Sequence, residues 1–128
     1  MPTVDVRYSG PFFDAARRNI VIRKMCERIN TVLTNLAYNR VHEILRKDLK
    51  HPTGFYQSNI TRETKDSRGR VHDNSVVYGP WLEGVSSRNR ETRFKGYHAF
   101  RRANQSVERR AAKLSEPIVA KALKELGG

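Results

Sequence analysis

Cysteine is almost missing from this sequence: Cys26 stands alone among 128 residues. One thiol forms no disulfide within the chain, and such usage suits a reducing compartment. Arg23, Lys24 and Arg28 give Cys26 the electropositive neighbours of a reactive thiol, but it falls on the apolar side of a helical pattern, which favours a core thiol over a nucleophile. Long apolar runs are also missing. No stretch approaches the roughly 20 residues of a membrane span, and the first residues lack the basic-then-apolar order of a signal peptide. The sequence therefore predicts neither secretion nor a membrane partner, and Asn59-Ile60-Thr61 matches a glycosylation sequon by pattern alone. Acidic residues are scarce: Asp plus Glu number 13 against 25 Lys plus Arg, a net charge of +12. By charge alone that balance favours a polyanion, an acidic protein or an acidic membrane surface, and of these no membrane partner is expected.

Catalytic and metal-binding patterns are missing as well. His42, His51, His72 and His98 form no HExxH or related spacing and there is no CxxC, so neither a metal nor another cofactor is expected. There is no Walker loop, no GxGxxG and no GxSxG. His72-Asp73 is the one pair suggestive of acid–base chemistry, but adjacent strand residues face opposite ways and do not converge. A small basic ribonuclease would need a grouping such as His51, Arg62, Glu63 and Tyr78, and nothing in their spacing compels it.

The patterns that are present describe one domain over 1–128, without an internal repeat or low-complexity tract. Val4, Val6 and Tyr8 alternate with polar residues as in a short half-buried strand, stopped by Ser9-Gly10-Pro11. From Asp14, a suitable helix opener, Ile22, Met25, Cys26, Ile29, Leu33, Leu36, Ala37, Val41, Ile44 and Leu45 recur at steps of three and four. This predicts an amphipathic helix over about 14–49, ended by His51-Pro52, with a break at Thr34-Asn35 or Asn39 as the alternative to one very long element. Residues 55–64 and 71–78 carry β-branched and aromatic residues around a polar, glycine-containing link and read as a hairpin. Gly79 and Gly84 bracket Pro80-Trp81-Leu82-Glu83. A basic loop, expected to be flexible, follows over 84–95. Phe100, Ala103, Val107, Ala111 and Leu114 then mark a helix, and Ser115-Glu116-Pro117 reads as the start of a last short one. The fold class is thus α+β: a small antiparallel sheet of three to four strands packed against one long N-terminal helix and C-terminal helices.

Between Gly84 and Arg110, Arg88, Arg90, Arg93, Lys95, Arg101, Arg102, Arg109 and Arg110 interleave with Phe94, Tyr97 and Phe100. A basic segment with aromatics could track phosphates and stack bases, and a nonspecific nucleic-acid module is one reading, with Arg88, Arg90, Arg93, Lys95, Arg101 and Arg102 as the contacts. The same aromatics could instead dock the end of the loop on the core.

The order of these parts resembles a known family. A long amphipathic helix leads to Thr53-Gly54-Phe55-Tyr56-Gln57-Ser58-Asn59-Ile60. A segment ending in Tyr78-Gly79-Pro80-Trp81-Leu82-Glu83 follows, then a variable loop, then Arg93-Phe94-Lys95-Gly96-Tyr97-His98-Ala99-Phe100-Arg101 and a C-terminal helix. Over about residues 14–115 this is similar to the neck or tail-completion (head–tail joining, minor tail) proteins of long-tailed bacteriophages. Glu83-Gly84 with no following Thr departs from the family pattern. The resemblance implies a structural virion protein without catalysis, present in the host cytoplasm during assembly and then at the head–tail junction as a neck, tail-completion or terminator ring. It implies a cyclic homo-oligomer, a hexamer rather than a dodecamer, that joins the portal-side connector to the tail tube. Its partners would be neighbouring connector proteins, the major tail tube protein and genomic DNA in the channel. Cyclic assembly joins two different patches head-to-tail. Tyr78, Pro80, Trp81, Leu82, Arg88, Arg90, Arg93, Phe94 and Tyr97 are the expected subunit or partner interface, with Trp81, the residue type most enriched in hot spots, as anchor or else as plain core.

Overall fold

The structure is a computed structural model, described for residues 2–7, 20–50, 53–65 and 68–127. Its elements are β1 (Thr3–Arg7), α1 (Ile20–Asp48), α2 (Phe55–Ser58), β2 (Thr61–Lys65), β3 (Arg68–His72), α3 (Gly79–Glu83), α4 (Ser87–Glu91) and α5 (Ala99–Glu125). The class is the expected α+β, with three antiparallel strands in the order β1-β3-β2. The expected residues Tyr8 and Asp14 lie outside the described residues.

Sheet register follows from alternation. Val4 pairs with Val71 and Arg62 with Val71, so these positions share the face against α1. Val4 and Val71 are buried there, while Arg62 reaches α1 by donating to Asn35 Oδ1 at 2.9 Å and covering the Tyr38 ring at 4.7 Å. The other face is polar, with Asp5 between Arg68 at 3.5 Å and Arg70 at 3.8 Å. Gly69 is where β3 presses onto α1. A Cβ there would overlap Thr34 Oγ1 and fall 2.7 Å from Asn30 Oδ1. Thr34 and Asn30 are themselves buried on α1, bonded to each other at 3.5 Å.

α1 runs unbroken through Thr34-Asn35 and Asn39. These polar residues do not open the helix, because Thr34 is closed under the sheet and Asn35 receives Arg62. Antiparallel to α1 lies α5. Arg102 near the start of α5 pairs with Asp48 at the end of α1, while Ile118 and Ala122 meet Val21 and Met25 at the other end. Ile29, Leu33, Ala37, Val41, Ile44 and Leu45 from α1, with Ala99, Phe100, Ala103 and Val107 from α5, make one core with Val4, Val6 and Val71. Each buried Val, Leu, Ile or Phe stabilises by about 1.5–3 kcal/mol, so the apolar stripes hold the hairpin rather than helix propensity.

Three expectations are corrected. The C-terminal part is one helix, not two: α5 passes through Pro117, and Ser115 donates to Ala111 O at 2.7 Å instead of capping a new start. Lys113 and Pro117 are both exposed, so the carbonyl that proline leaves without a donor is on the watery side of the helix. The hairpin strands are also shorter than 55–64 and 71–78. Residues 55–58 wind into a turn of helix after Gly54 at φ 86°, where Ser58 Oγ and Asn59 Nδ2 both donate to Phe55 O at 2.8 Å. After His72 the chain leaves the sheet, because Asp73 accepts Ser75 N at 3.1 Å and Asn74 and Ser75 both take φ 57°. The polar Arg68-Gly69-Arg70, expected as the link, is instead strand, with glycine inward and both arginines outward.

Candidate assembly surface

The two sequence segments that carry the family resemblance come together in space. α3 ends at Gly84 (φ 96°), and the chain returns past it at Gly96 (φ 95°). The backbones meet at these glycines: a Cβ on Gly84 would overlap Lys95 O, and one on Gly96 would overlap Gly84 Cα. Tyr97 N donates to Leu82 O at 2.7 Å across the same junction. The adjacent Glu83-Gly84 thus has a structural reason, since one residue turns inward while the next clears the path of the returning chain.

Glu83 is the inward residue, 7% exposed. Its carboxylate accepts Phe100 N at 2.9 Å and Arg101 N at 3.0 Å. The residue preceding α5, His98, has φ 54° and supplies no side-chain cap, so Glu83, 17 residues upstream of Phe100, takes that part. A negative charge at the positive end of a long helix is favourable. Burial nevertheless raises the Glu83 pKa, opposed by the two N–H bonds and by the His98 and Arg101 charges.

The basic loop over 84–95 contains folded structure. Ser86 and Asn89 form a capping box for α4. Asn89 is buried, and its Nδ2 donates to Trp81 O at 3.2 Å and Phe94 O at 3.0 Å. Lys95 Nζ donates to Asn89 O at 2.9 Å. Trp81 is half-buried with its ring 4.9 Å from that of Phe94, which lies 5.0 Å from Tyr97. Trp81 on one side of the loop and Phe94 and Tyr97 on the other therefore pack on each other within the subunit. Pro80 sits in the first turn of α3, and Leu82 is partly buried against the core. Arg88, Arg90, Arg93 and Arg101 are exposed and form no ion pair among the described residues, whereas Arg102 is held by Asp48 at 2.6 Å.

Exposed apolar residues lie within this unit, at Val85, and beside it. Val77 is 95% exposed, Phe55 56% and Tyr78 42%, with the Phe55 and Tyr78 rings 6.4 Å apart and Tyr56 buried beneath. Tyr56 is fixed by donating to Asp73 Oδ2 at 2.9 Å, and burial followed by the Asp73 charge raises its pKa. Of these three exposed residues, sequence reasoning selects only Tyr78. The segments of the other two read as strands, where alternation hides them; the turn-forming Gly54 and Asp73-Asn74 are the available signal. A second apolar group, Leu123 at 61% and Leu126 at 44%, lies near the far end of α5. At 1.5 Å per residue that is about 36 Å from Ala99.

The grouping considered for a ribonuclease is not brought together. Arg62 faces α1, Glu63 faces the opposite side against His72 at 3.2 Å, and Tyr78 packs on Phe55. His51 lies outside the described residues. His72 and Asp73 take separate partners, Glu63 and Tyr56. Cys26 is half-buried, and burial followed by the Glu27 charge raises its pKa, away from thiolate character. Among the described residues no cluster of three His, Cys, Asp or Glu side chains could hold a metal ion, and no helix is long and apolar enough to cross a membrane.

Comparison with protein-family models, characterised proteins and solved structures finds no match for this chain.

Proposed function

We propose that this chain is a structural subunit of a ring at the head–tail junction of a long-tailed bacteriophage, joining the portal-side connector to the tail tube. The observation that carries this reading is the presence of two dissimilar apolar surfaces far apart on one small subunit. Phe55, Val77 and Tyr78 lie at one end of the α1–α5 hairpin, and Leu123 and Leu126 at the other. An exposed apolar patch rimmed by polar residues marks an interaction site. Two unlike patches on one chain suit head-to-tail contact between copies, which closes into a ring when the rotation permits. The order of segments seen in the sequence supports the same reading, and the Glu83–α5 junction gives those segments a shared role in holding the subunit's shape.

The test is particle size. Light scattering at micromolar protein, alone and with tail-tube and connector partners, should give a discrete multiple of 14.8 kDa. Val77→Asp should leave a folded monomer and remove the larger species, because it adds charge at an exposed position with nothing to disturb inside the subunit. Unchanged size for V77D and for L123D, or a wild-type chain monomeric with every partner, would overturn the proposal.

A second reading, nucleic-acid contact, is favoured by the exposed and unpaired Arg88, Arg90, Arg93 and Arg101. It is compatible with a ring around a DNA channel.

A further inference from the structure

The sheet covers one side of α1 and leaves the opposite side open. Asn30 and Thr34 are buried and closed beneath β3 at Gly69. On the open side, shallow clefts follow the length of α1. Lys24, Arg28 and Lys121 line the cleft where α1 begins and α5 ends. Arg40, Arg109 and Arg110 line the next, and Arg46 lines a third that shares Asn39 and Glu43 with it. Arg28 and Arg46 stand about five turns apart at 3.6 residues per turn, and so on one line of the helix. The acids in these clefts are Glu43 and Glu125. Among the described residues, Arg40 is the one of these seven cations held by an acid, Glu43 at 2.7 Å.

We infer that this open face of the α1–α5 hairpin binds the phosphate backbone of duplex nucleic acid, without reading bases. Three features select that partner. From Lys24 to Arg46 the charge runs for about 33 Å, at 1.5 Å per residue, close to one turn of B-form DNA at about 34 Å. Arginine predominates among the cations, and its planar fork matches phosphate oxygens. Thr31 and Asn39, exposed on the same helix, add hydroxyl and amide donors of the kind that contact phosphates. A protein partner would require an apolar centre; the exposed Phe55, Val77 and Tyr78 lie elsewhere, and Leu123 and Leu126, though on α5, are not among the residues that line these clefts. This surface is distinct from α4 in the basic loop, and it does not depend on ring assembly.

The experiment is fluorescence anisotropy on a 30-base-pair duplex of arbitrary sequence between 50 and 300 mM NaCl, with light scattering on the same samples to follow assembly separately. With six unpaired cations engaged, log K should fall against log[salt] with a slope of about −5, taking about 0.9 per phosphate contact. Arg28→Gln/Arg46→Gln/Arg109→Gln/Arg110→Gln should flatten that slope by about three to four units and weaken binding at least tenfold at 100 mM salt. Arg88→Gln/Arg90→Gln/Arg93→Gln should change the slope by less than one unit. All seven of these positions are exposed, so circular dichroism should show native helicity. Should the quadruple variant lose it, Arg109→Glu/Arg110→Glu is the replacement and should abolish binding at 150 mM salt. Absence of wild-type binding at 50 mM salt overturns the inference. So does an unchanged slope in the hairpin variant, a larger effect of the α4 variant, or polyglutamate of matched charge competing as well as duplex, which would mark an acidic-polypeptide surface instead.

Discussion

Replacing Glu83 with alanine tests how the two halves of the family-like pattern are joined. The carboxylate is the buried acceptor for Phe100 N and Arg101 N in the first turn of a 27-residue helix. Alanine leaves both donors without it in a site that is largely closed to water. An unsatisfied buried donor costs about 1–3 kcal/mol, and loss of a cap typically about 1. Against this, the variant no longer buries a charge, whose cost is visible in the raised pKa. With that offset, the expected net loss is about 2–3 kcal/mol. For a chain of 128 residues, an unfolding entropy of about 2.1 cal/mol/K per residue converts this to a drop of about 7–11 °C in Tm. Thermal melting by circular dichroism reads that shift, and amide hydrogen exchange should show lost protection at Phe100 and Arg101. A Tm within about 2 °C of wild type, with those amides still protected, would refute the capping role. The pH dependence supplies a second arm. A folded-state pKa raised above the unfolded value means that the folded chain holds the proton more tightly. Stability from this group is then fully present below the ordinary carboxylate range and is lost as pH rises through the higher folded value. Wild type should therefore gain stability relative to Glu83→Gln as pH is lowered from 7 toward 4.5.

Other positions carry their own outcomes. Gly69→Ala should destabilise by about 3 kcal/mol or more, the upper range for overpacking, because its Cβ overlaps Thr34 Oγ1; a normal urea midpoint would show that β3 does not press on α1. Trp81→Ala should lower monomer stability by about 2–4 kcal/mol, somewhat below the range for a fully buried aromatic, since Trp81 packs on Phe94 inside the subunit; loss of assembly at unchanged Tm would return it to the interface. Pro117→Ala should stabilise by about 1–3 kcal/mol, as an exposed helix-interior proline is replaced by the best helix former; a fall in Tm would indicate a role for the proline that the continuous helix does not show.

The apolar stripes could be read from the residues alone. Apolar steps of three and four along Ile29 to Leu45 and along Phe100 to Val107 require helices with one buried face, and alternation at Val4 and Val6 requires a strand. The α+β class follows, because such faces must be covered by one another. Local chemistry could not fix where the elements stop. Val76, Val77 and Tyr78 have strand-forming side chains, yet Asp73 turns the chain by bonding Ser75 and Tyr56, and one of these partners lies 17 residues away. Ser115 and Pro117 have the form of a helix start, but the packing of Ile118 and Ala122 on α1 carries the helix through them. The same holds for the candidate surface. Charge and aromatics around Arg88 to Tyr97 were legible, whereas their inward docking on Trp81 and the outward exposure of Phe55 and Val77 were not. Side-chain type sets what a residue can bury. Which residues are buried depends on contacts distant in the chain, here Glu83 with Phe100 and Gly84 with Gly96, and these exist only once the chain has folded.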